Sequence, residues 1–324
     1  MSSVVETSHS KGIPHFVRND DTEKMKTELF WLKATRPWSF PASTMPVVLT
    51  AAYLFYAQQT GEVSITWWGW LPFVFIAVIA YHAGLNMISD LNDYKMGVDH
   101  EDSLGYKSPL VKGEVNEKEW KWRAIPILLF GTAIGFQLTA QIGYHLLWIG
   151  GIGLIAGYFY HIFKKYTLGD LLIFVIFGVL IVLGTFYVLT SELSVTALFL
   201  SIPVGLITTA ILHANYTRDI VHDLQAGIRT QASIVGLRNA QWEYVGLIFG
   251  AYLAIILLVV FNILPYLSLV VLLTFPIGLI NVKRMFKVSK ENLEPILSLD
   301  EATAKLQLLF TIVLSLGIFT SVLF

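Results

Sequence analysis

Two tracts carry the residues that could do chemistry. Residues 82–102 read HAGLNMISDLNDYKMGVDHED, placing Asn86, Asp90 and Asp93 at i, i+4 and i+7, with Asp99 beyond. At helical pitch the first three project from one face. Residues 213–230 read HANYTRDIVHDLQAGIRT, placing Asn215, Asp219 and Asp223 at i, i+4 and i+8, again on one helical face. Each tract runs out of a long apolar segment, and ionisable groups at membrane depth are costly and mark function.

Two facing helix ends carrying Asp90, Asp93, Asp99, Asp219 and Asp223 would crowd negative charge that only cations can neutralise. The chain has no cysteine, so oxygen ligands alone point to a hard divalent cation such as Mg²⁺. Mg²⁺ held by few carboxylates completes its shell from water and substrate phosphates, and nearby lysines and arginines add phosphate contacts. The pair of tracts therefore reads as a site for a diphosphate at the membrane surface, and a diphosphate beside a greasy cavity as a prenyl diphosphate. On that reading the metal draws charge from the leaving group and the carbon–oxygen bond ionises. Aromatic faces stabilise the allylic cation and a dry interior keeps water away. His82, His213 and His222 lie near both tracts and are read as ordinary hydrogen-bonded histidines.

The elements that must position these residues are membrane helices. The chain of 324 residues is 55% hydrophobic and 14% charged, with a mean hydropathy of +0.64, which places it among integral membrane proteins. About nine apolar runs of spanning length are expected, at 38–58, 66–88, 122–141, 143–163, 170–190, 195–215, 243–262, 264–282 and 303–323. With that count all 22 lysines and arginines fall on one side, and the other side has only Glu62 and Glu192. By the positive-inside rule the first side is cytoplasmic, so the N-terminus is inside and the C-terminus outside. Both acidic tracts lie on the cytoplasmic side, in an expected bacterial cytoplasmic (inner) membrane. The net charge of −1 and the lack of a basic tail give no sign of a nucleic-acid partner. The first residues lack the apolar stretch of a signal peptide.

Residues 1–32 are expected to form a polar tail, and residues 33–324 one transmembrane domain. The tract KATRPWSFPASTMPVV (33–48) opens the first span, with Arg36 at its cytoplasmic mouth and with Pro41 and Pro46 expected to bend or break it. The connection 94–121 carries Lys107 and is long enough for a functional lid. Gly150, Gly151, Gly153 and Gly157 in the fourth span are expected to permit close helix contact. Lys164 and Lys165 follow, among Tyr158, Tyr160 and Tyr166 at the interface. The recurrence of the acidic tract four spans later suggests two related halves with a ninth helix added.

These residues resemble the UbiA superfamily of intramembrane prenyltransferases. The first family motif, Asn-Asp-x-x-Asp followed by a further Asp, is similar to Ser89-Asp90-Leu91-Asn92-Asp93 with Asp99 beyond, Ser89 standing for the motif's Asn. The second, an aspartate pair with three residues between, resembles Asp219 and Asp223. Within the superfamily the tracts DYKMGVD (93–99), GVLIVLGTFYV (178–188) and 202–230, with RPWSFPAS (36–43), are most similar to 1,4-dihydroxy-2-naphthoate polyprenyltransferases and the vertebrate menaquinone-forming relative. The resemblance covers most of the chain from 33 to about 245. It implies an all-α bundle of nine transmembrane helices around a central cavity.

The resemblance also implies a polyprenyl diphosphate and an aromatic acceptor as partners. Asp90, Asp93, Asp219 and Asp223 would hold Mg²⁺, with Asp99 helping and with Asn86 and Asn215 orienting metal or phosphate. Arg36, Lys107 and Arg218, and after them Lys164 and Lys165, would contact the diphosphate. The ring carbon bearing the carboxylate would attack, with loss of CO₂ and a proton, a step of menaquinone synthesis. Other acceptors for an enzyme of this class are 4-hydroxybenzoate, homogentisate or a glyceryl phosphate lipid. A cation-coupled transporter would instead string polar residues through mid-span and break its helices there, whereas here the acids gather at helix ends.

Overall fold

The computed structural model describes residues 29–99, 104, 106–289 and 292–324. Most of the polar tail and the acidic end of the first tract, 100–102, lie outside the described residues. The described chain is all-helical, its one β-bridge being the isolated pair Tyr166 and Arg229.

The helices follow the apolar runs. They are α1 Pro41–Gln59, α2 Leu71–Lys95, α3 Glu117–Ile142, α4 His145–Tyr158 and α5 Tyr160–Lys165. Then come α6 Gly169–Thr190, α7 Val195–Arg218, α8 Ile220–Gln225 and α9 Gln231–Val235. The last three are α10 Leu237–Val260, α11 Tyr266–Phe286 and α12 Leu299–Thr320. Among the described residues eight helical segments are long and apolar enough to cross a membrane, and α4 is a shorter apolar helix. At 14 residues α4 is about 21 Å long, short of an apolar slab about 30 Å thick. The run 143–163 is therefore not one continuous span: the helix stops at Phe159 and restarts as α5.

Local chemistry fixes several boundaries. Asn116 caps α3 by accepting from the Glu119 N–H at 3.0 Å, and Ser194 caps α7 by accepting from the Thr196 N–H at 3.1 Å. Pro41 sits in the first turn of α1, which continues through Pro46 rather than breaking there. In α6 the stretch Phe174–Leu180 is π-helical, a distortion common at functional sites. It lies where α6 crosses α7 closely: a Cβ on Gly178 would stand 2.8 Å from the Gly205 Cα, so no larger residue fits.

Buried polar pairs tie the bundle together. Gln307 of α12 donates to the Thr208 hydroxyl of α7 at 3.2 Å and to the Pro41 carbonyl of α1 at 3.3 Å. The Tyr244 and Thr303 hydroxyls join α10 to α12 at 2.6 Å. Trp120, fully buried, donates from its indole to the Met87 carbonyl of α2 at 2.7 Å, fixing α3 against the helix that carries the first acidic tract. One end of the bundle thus gathers the C-terminal ends of α2 and α7, the approach to α1, the short helix α5 and the starts of α6 and α12.

Candidate active site

The first tract is held by α2 and by the chain entering α1. His82, Asn86 and Asp90 follow one another at i+4 on α2, so they form one stripe running toward the helix end. Asn86 donates to the Ser39 hydroxyl at 3.1 Å and to the Thr35 carbonyl at 3.2 Å. The His82 ring bonds Ser43 at 2.8 Å and Ser39 at 3.3 Å. These contacts pin the connection that carries Arg36. Arg36 adopts a left-handed backbone (φ 56°, ψ 57°) just before Pro37, a conformation that L residues seldom hold without tertiary support. It buys a direct ion pair in which the guanidinium donates to Asp90, whose side chain is fully buried. The same guanidinium lies 4.4 Å from the centroid of the Tyr106 ring.

Opposite charges at this end act on one another. Burial works against the Arg36 charge, but Asp90, Asp99, Tyr106 and Asp93 offset it and hold the group above the usual arginine range. Burial and Asp93 push the Asp99 carboxyl up to about 6, with Arg36 partly offsetting them.

The second tract ends α7 and turns at Asp219 (φ −94°, ψ 9°) into α8. The backbone ladder survives the turn, with Asp219 N–H on Asn215 O at 2.9 Å and Asp223 N–H on Asp219 O at 2.8 Å. Asn215 and Asp223 nevertheless sit on two helices, with Asp219 at the junction, rather than on one uninterrupted face. The turn is stabilised by Arg218, which forks onto both Asp219 oxygens at 2.8 Å and reaches Asp300 of α12 at 3.1 Å. Lys164 of α5 pairs with Asp223 at 3.1 Å. Burial disfavours its ammonium, but Asp93 and Asp223 offset that and hold it above the usual lysine range. Lys164 therefore bridges the two tracts electrostatically, one partner from each.

The remaining expected residues divide. Asn215 lies half-buried inside the second tract. Lys107 lies half-buried beside Ser108, on a turn that reverses at Gly113 (φ 68°). Lys165, next to Lys164 on a helix, points the other way and is exposed, so the structure does not bring it to the acids. Sequence reasoning missed Asp300, Asp170 and the pair Tyr160–Tyr216, whose hydroxyls are hydrogen-bonded to each other beside Lys164. His213 is buried between Asp170, at 2.7 Å from its Nδ1, and the Ala240 carbonyl, at 2.9 Å from its Nε2. Asp170 and Asp300 stand far from both tracts in sequence, so no spacing rule could have found them.

Five buried carboxylate oxygens have no hydrogen-bond partner among the described residues, on Asp90, Asp170, Asp223, Glu243 and Asp300, and two of them, Asp90 Oδ2 and Asp223 Oδ2, belong one to each tract. No three Asp, Glu or His side chains among those residues converge closely enough to enclose a metal by themselves. The donor set thus fits only a hard cation that takes at most two of these carboxylates and the rest of its shell from elsewhere.

Below the stripe, an apolar cavity of about 250 Å³ runs between α2, α3, α4 and α6, with Ser43 and His82 as its polar lip. Phe177, from the π-helical stretch of α6, meets the His82 ring at 5.0 Å between centroids.

Residues 44–297 match the model of the UbiA prenyltransferase family. The chain belongs to that family. It is a prenyltransferase embedded in the membrane. A UbiA prenyltransferase domain-containing protein 1 from Xenopus tropicalis is 32% identical over 307 residues, covering 89% of this chain and 81% of its own length. An apo UbiA homologue from Aeropyrum pernix K1 superposes with a TM-score of 0.64 at 18% identity, over 86% of this chain and 98% of the homologue. A UbiA homologue from Archaeoglobus fulgidus bound to GPP and Mg²⁺ has a TM-score of 0.61 at 17% identity, over 90% of this chain and 99% of the homologue. These two likenesses establish that this UbiA chain shares their fold.

Proposed function

We propose that the protein transfers a polyprenyl group from its diphosphate to 1,4-dihydroxy-2-naphthoate, using Mg²⁺, in menaquinone synthesis. The observation that carries the donor half is that an acid of each tract acts on Lys164, each tract having a buried carboxylate oxygen without a hydrogen-bond partner, while an apolar cavity reaches His82 on the helix of the first tract. The Archaeoglobus fulgidus homologue, which binds GPP and Mg²⁺, supports the same donor class. The acceptor half rests on the likeness of tracts 178–188 and 202–230 to naphthoate prenyltransferases.

Asp90, Asp93, Asp219 and Asp223 would hold Mg²⁺, which when bound neutralises the diphosphate and makes it a better leaving group. Arg36, Lys164 and Arg218 pair with Asp90, Asp223 and Asp219. These three would be the basic groups available to donate to the phosphate oxygens of a bound diphosphate. Asn86 and Asn215 orient the same end, with Asp99 and Lys107 at its rim. The carbon–oxygen bond then breaks with both electrons going to the diphosphate. The allylic cation forms near Phe177 and the His82–Ser43 lip, where aromatic faces stabilise it and apolar walls exclude water. The ring carbon of the acceptor bonds to that cation and the ring carboxylate leaves as CO₂. By the distribution of Lys and Arg the site faces the cytoplasm.

Membranes containing the protein, incubated with Mg²⁺, radiolabelled prenyl diphosphate and each acceptor in turn, test this. Prenylated naphthoate product is expected. Product only from 4-hydroxybenzoate, homogentisate or a glyceryl phosphate lipid would overturn the acceptor assignment and leave the donor chemistry standing.

A further inference from the structure

The hydroxyls that bind His82 have a fixed direction, which follows from what else each of them does. Ser39 gives its proton to the Arg36 carbonyl at 2.7 Å and accepts from Asn86 at 3.1 Å. Toward His82 Nε2, at 3.3 Å, it can therefore only accept, so Nε2 carries a hydrogen. In the neutral imidazole Nδ1 is then bare. Ser43 donates to it at 2.8 Å, in preference to the Phe40 carbonyl at 3.1 Å. Phe40 and Phe177 pack against the imidazole, with ring centroids 5.7 and 5.0 Å away.

Ser43 has thus committed its proton, and its oxygen keeps lone pairs at the wall of the apolar cavity. A group bound there must be a hydrogen-bond donor. Position separates Ser43 from the other hydroxyls of the cavity. It lies in the first turn of α1, beside a histidine two helical turns from Asp90, about 12 Å away by helical rise. Thr132 and Thr185 lie about 22 Å or more along α3 and α6 from the ends of those helices nearest the acids, and Thr139 lies deeper still.

We infer that Ser43 receives a ring hydroxyl of the aromatic acceptor, accepting its hydrogen bond while His82 holds the Ser43 proton. The pair therefore selects an acceptor whose hydroxyl is free and turns away its ether, which offers only lone pairs to a buried lone pair. Ser43 touches the acceptor, and His82 is a positioning residue that acts through it. This rests on the transfer reading above.

The test supplies the full-length protein with Mg²⁺, geranylgeranyl diphosphate and either 1,4-dihydroxy-2-naphthoate or one of its two monomethyl ethers. The readout is the ratio of kcat/KM for the parent to kcat/KM for the ether. Both are assayed on one preparation, so any loss of folded protein cancels. Wild type is expected to favour the parent over one of the ethers by about a hundredfold or more. Ser43→Ala and Ser43→Cys are each expected to bring that ratio down about tenfold or more. The cysteine variant separates hydrogen bonding from space, because its sulfur is the larger atom and the weaker acceptor. His82→Phe, which frees the Ser43 proton, is expected to narrow the ratio, and His82→Asn, which restores an acceptor, to keep it. A wild-type ratio within about twofold of one for both ethers, or a ratio unchanged in both Ser43 variants, would overturn the inference. A ratio unchanged in His82→Phe would overturn the role of His82. Wild type that forms no prenylated aromatic product would instead overturn the transfer reading beneath it.

Discussion

Arg36 and Asp90, 54 residues apart, form an ion pair in which a left-handed residue on the approach to α1 donates to a fully buried carboxylate on α2. The pair joins the first acidic tract to the chain segment that closes over it. It also places a cation where diphosphate charge would arrive.

Removing one partner leaves the other buried and uncompensated, which costs more than the pair itself is worth. Arg36→Ala is expected to destabilise the protein by about 2–3 kcal/mol, the lower end for such pairs because the arginine is partly exposed. Asp90→Asn in the same chain should recover much of that loss. Unfolding of both single variants and the double variant in detergent measures the coupling, and strictly additive losses would show that the pair does not act as one unit.

Asp99 gives a pH dependence. Its carboxyl, pushed by burial and by Asp93 up to about 6, binds its proton more tightly folded than unfolded, where the value is about 4. Protonation therefore stabilises the metal-free fold at low pH, and this stabilisation is lost as pH rises through the window from about 4 to 6. The loss is of the order of 3 kcal/mol. Thermal unfolding without divalent cations should show this slope, and Asp99→Asn should flatten it. An unchanged slope in the variant would show that Asp99 is not its source.

Asp300 positions the second tract without belonging to it. It holds Arg218 from α12 while Arg218 forks onto Asp219. Supports of this kind typically tune metal affinity by about 10–100-fold. Asp300→Ala should accordingly weaken Mg²⁺ activation by about tenfold, read as the Mg²⁺ concentration for half-maximal turnover. A lowered maximal rate with the Mg²⁺ requirement unchanged would argue for a different role.

Much of this site was legible because helical spacing is a local property. The stripe of His82, Asn86 and Asp90 on α2 and the membership of Asp219 and Asp223 in a second tract follow from i+4 periodicity. The turn at Asp219 was not legible, because it depends on Arg218 finding Asp300 on a helix 82 residues away. The same holds for α4. Its glycines look alike in sequence, but Leu85 crowds Gly157 while Gly150 and Gly151 face open space, a distinction made by neighbours from other helices. Lys164 and Lys165 are adjacent in the chain, and only the placement of α5 sends one to Asp223 and the other to the surface.

The central claim is that both tracts together hold the metal and the diphosphate. The most direct measurement is calorimetric titration of Mg²⁺ into the detergent-solubilised protein, with and without geranyl diphosphate, for wild type, Asp90→Ala and Asp219→Ala. Wild type is expected to bind Mg²⁺ far more tightly with the diphosphate present, since the diphosphate completes the shell. Each variant is expected to lose that enhancement by roughly a hundredfold or more. Enhancement that survives in either variant would contradict the two-tract site.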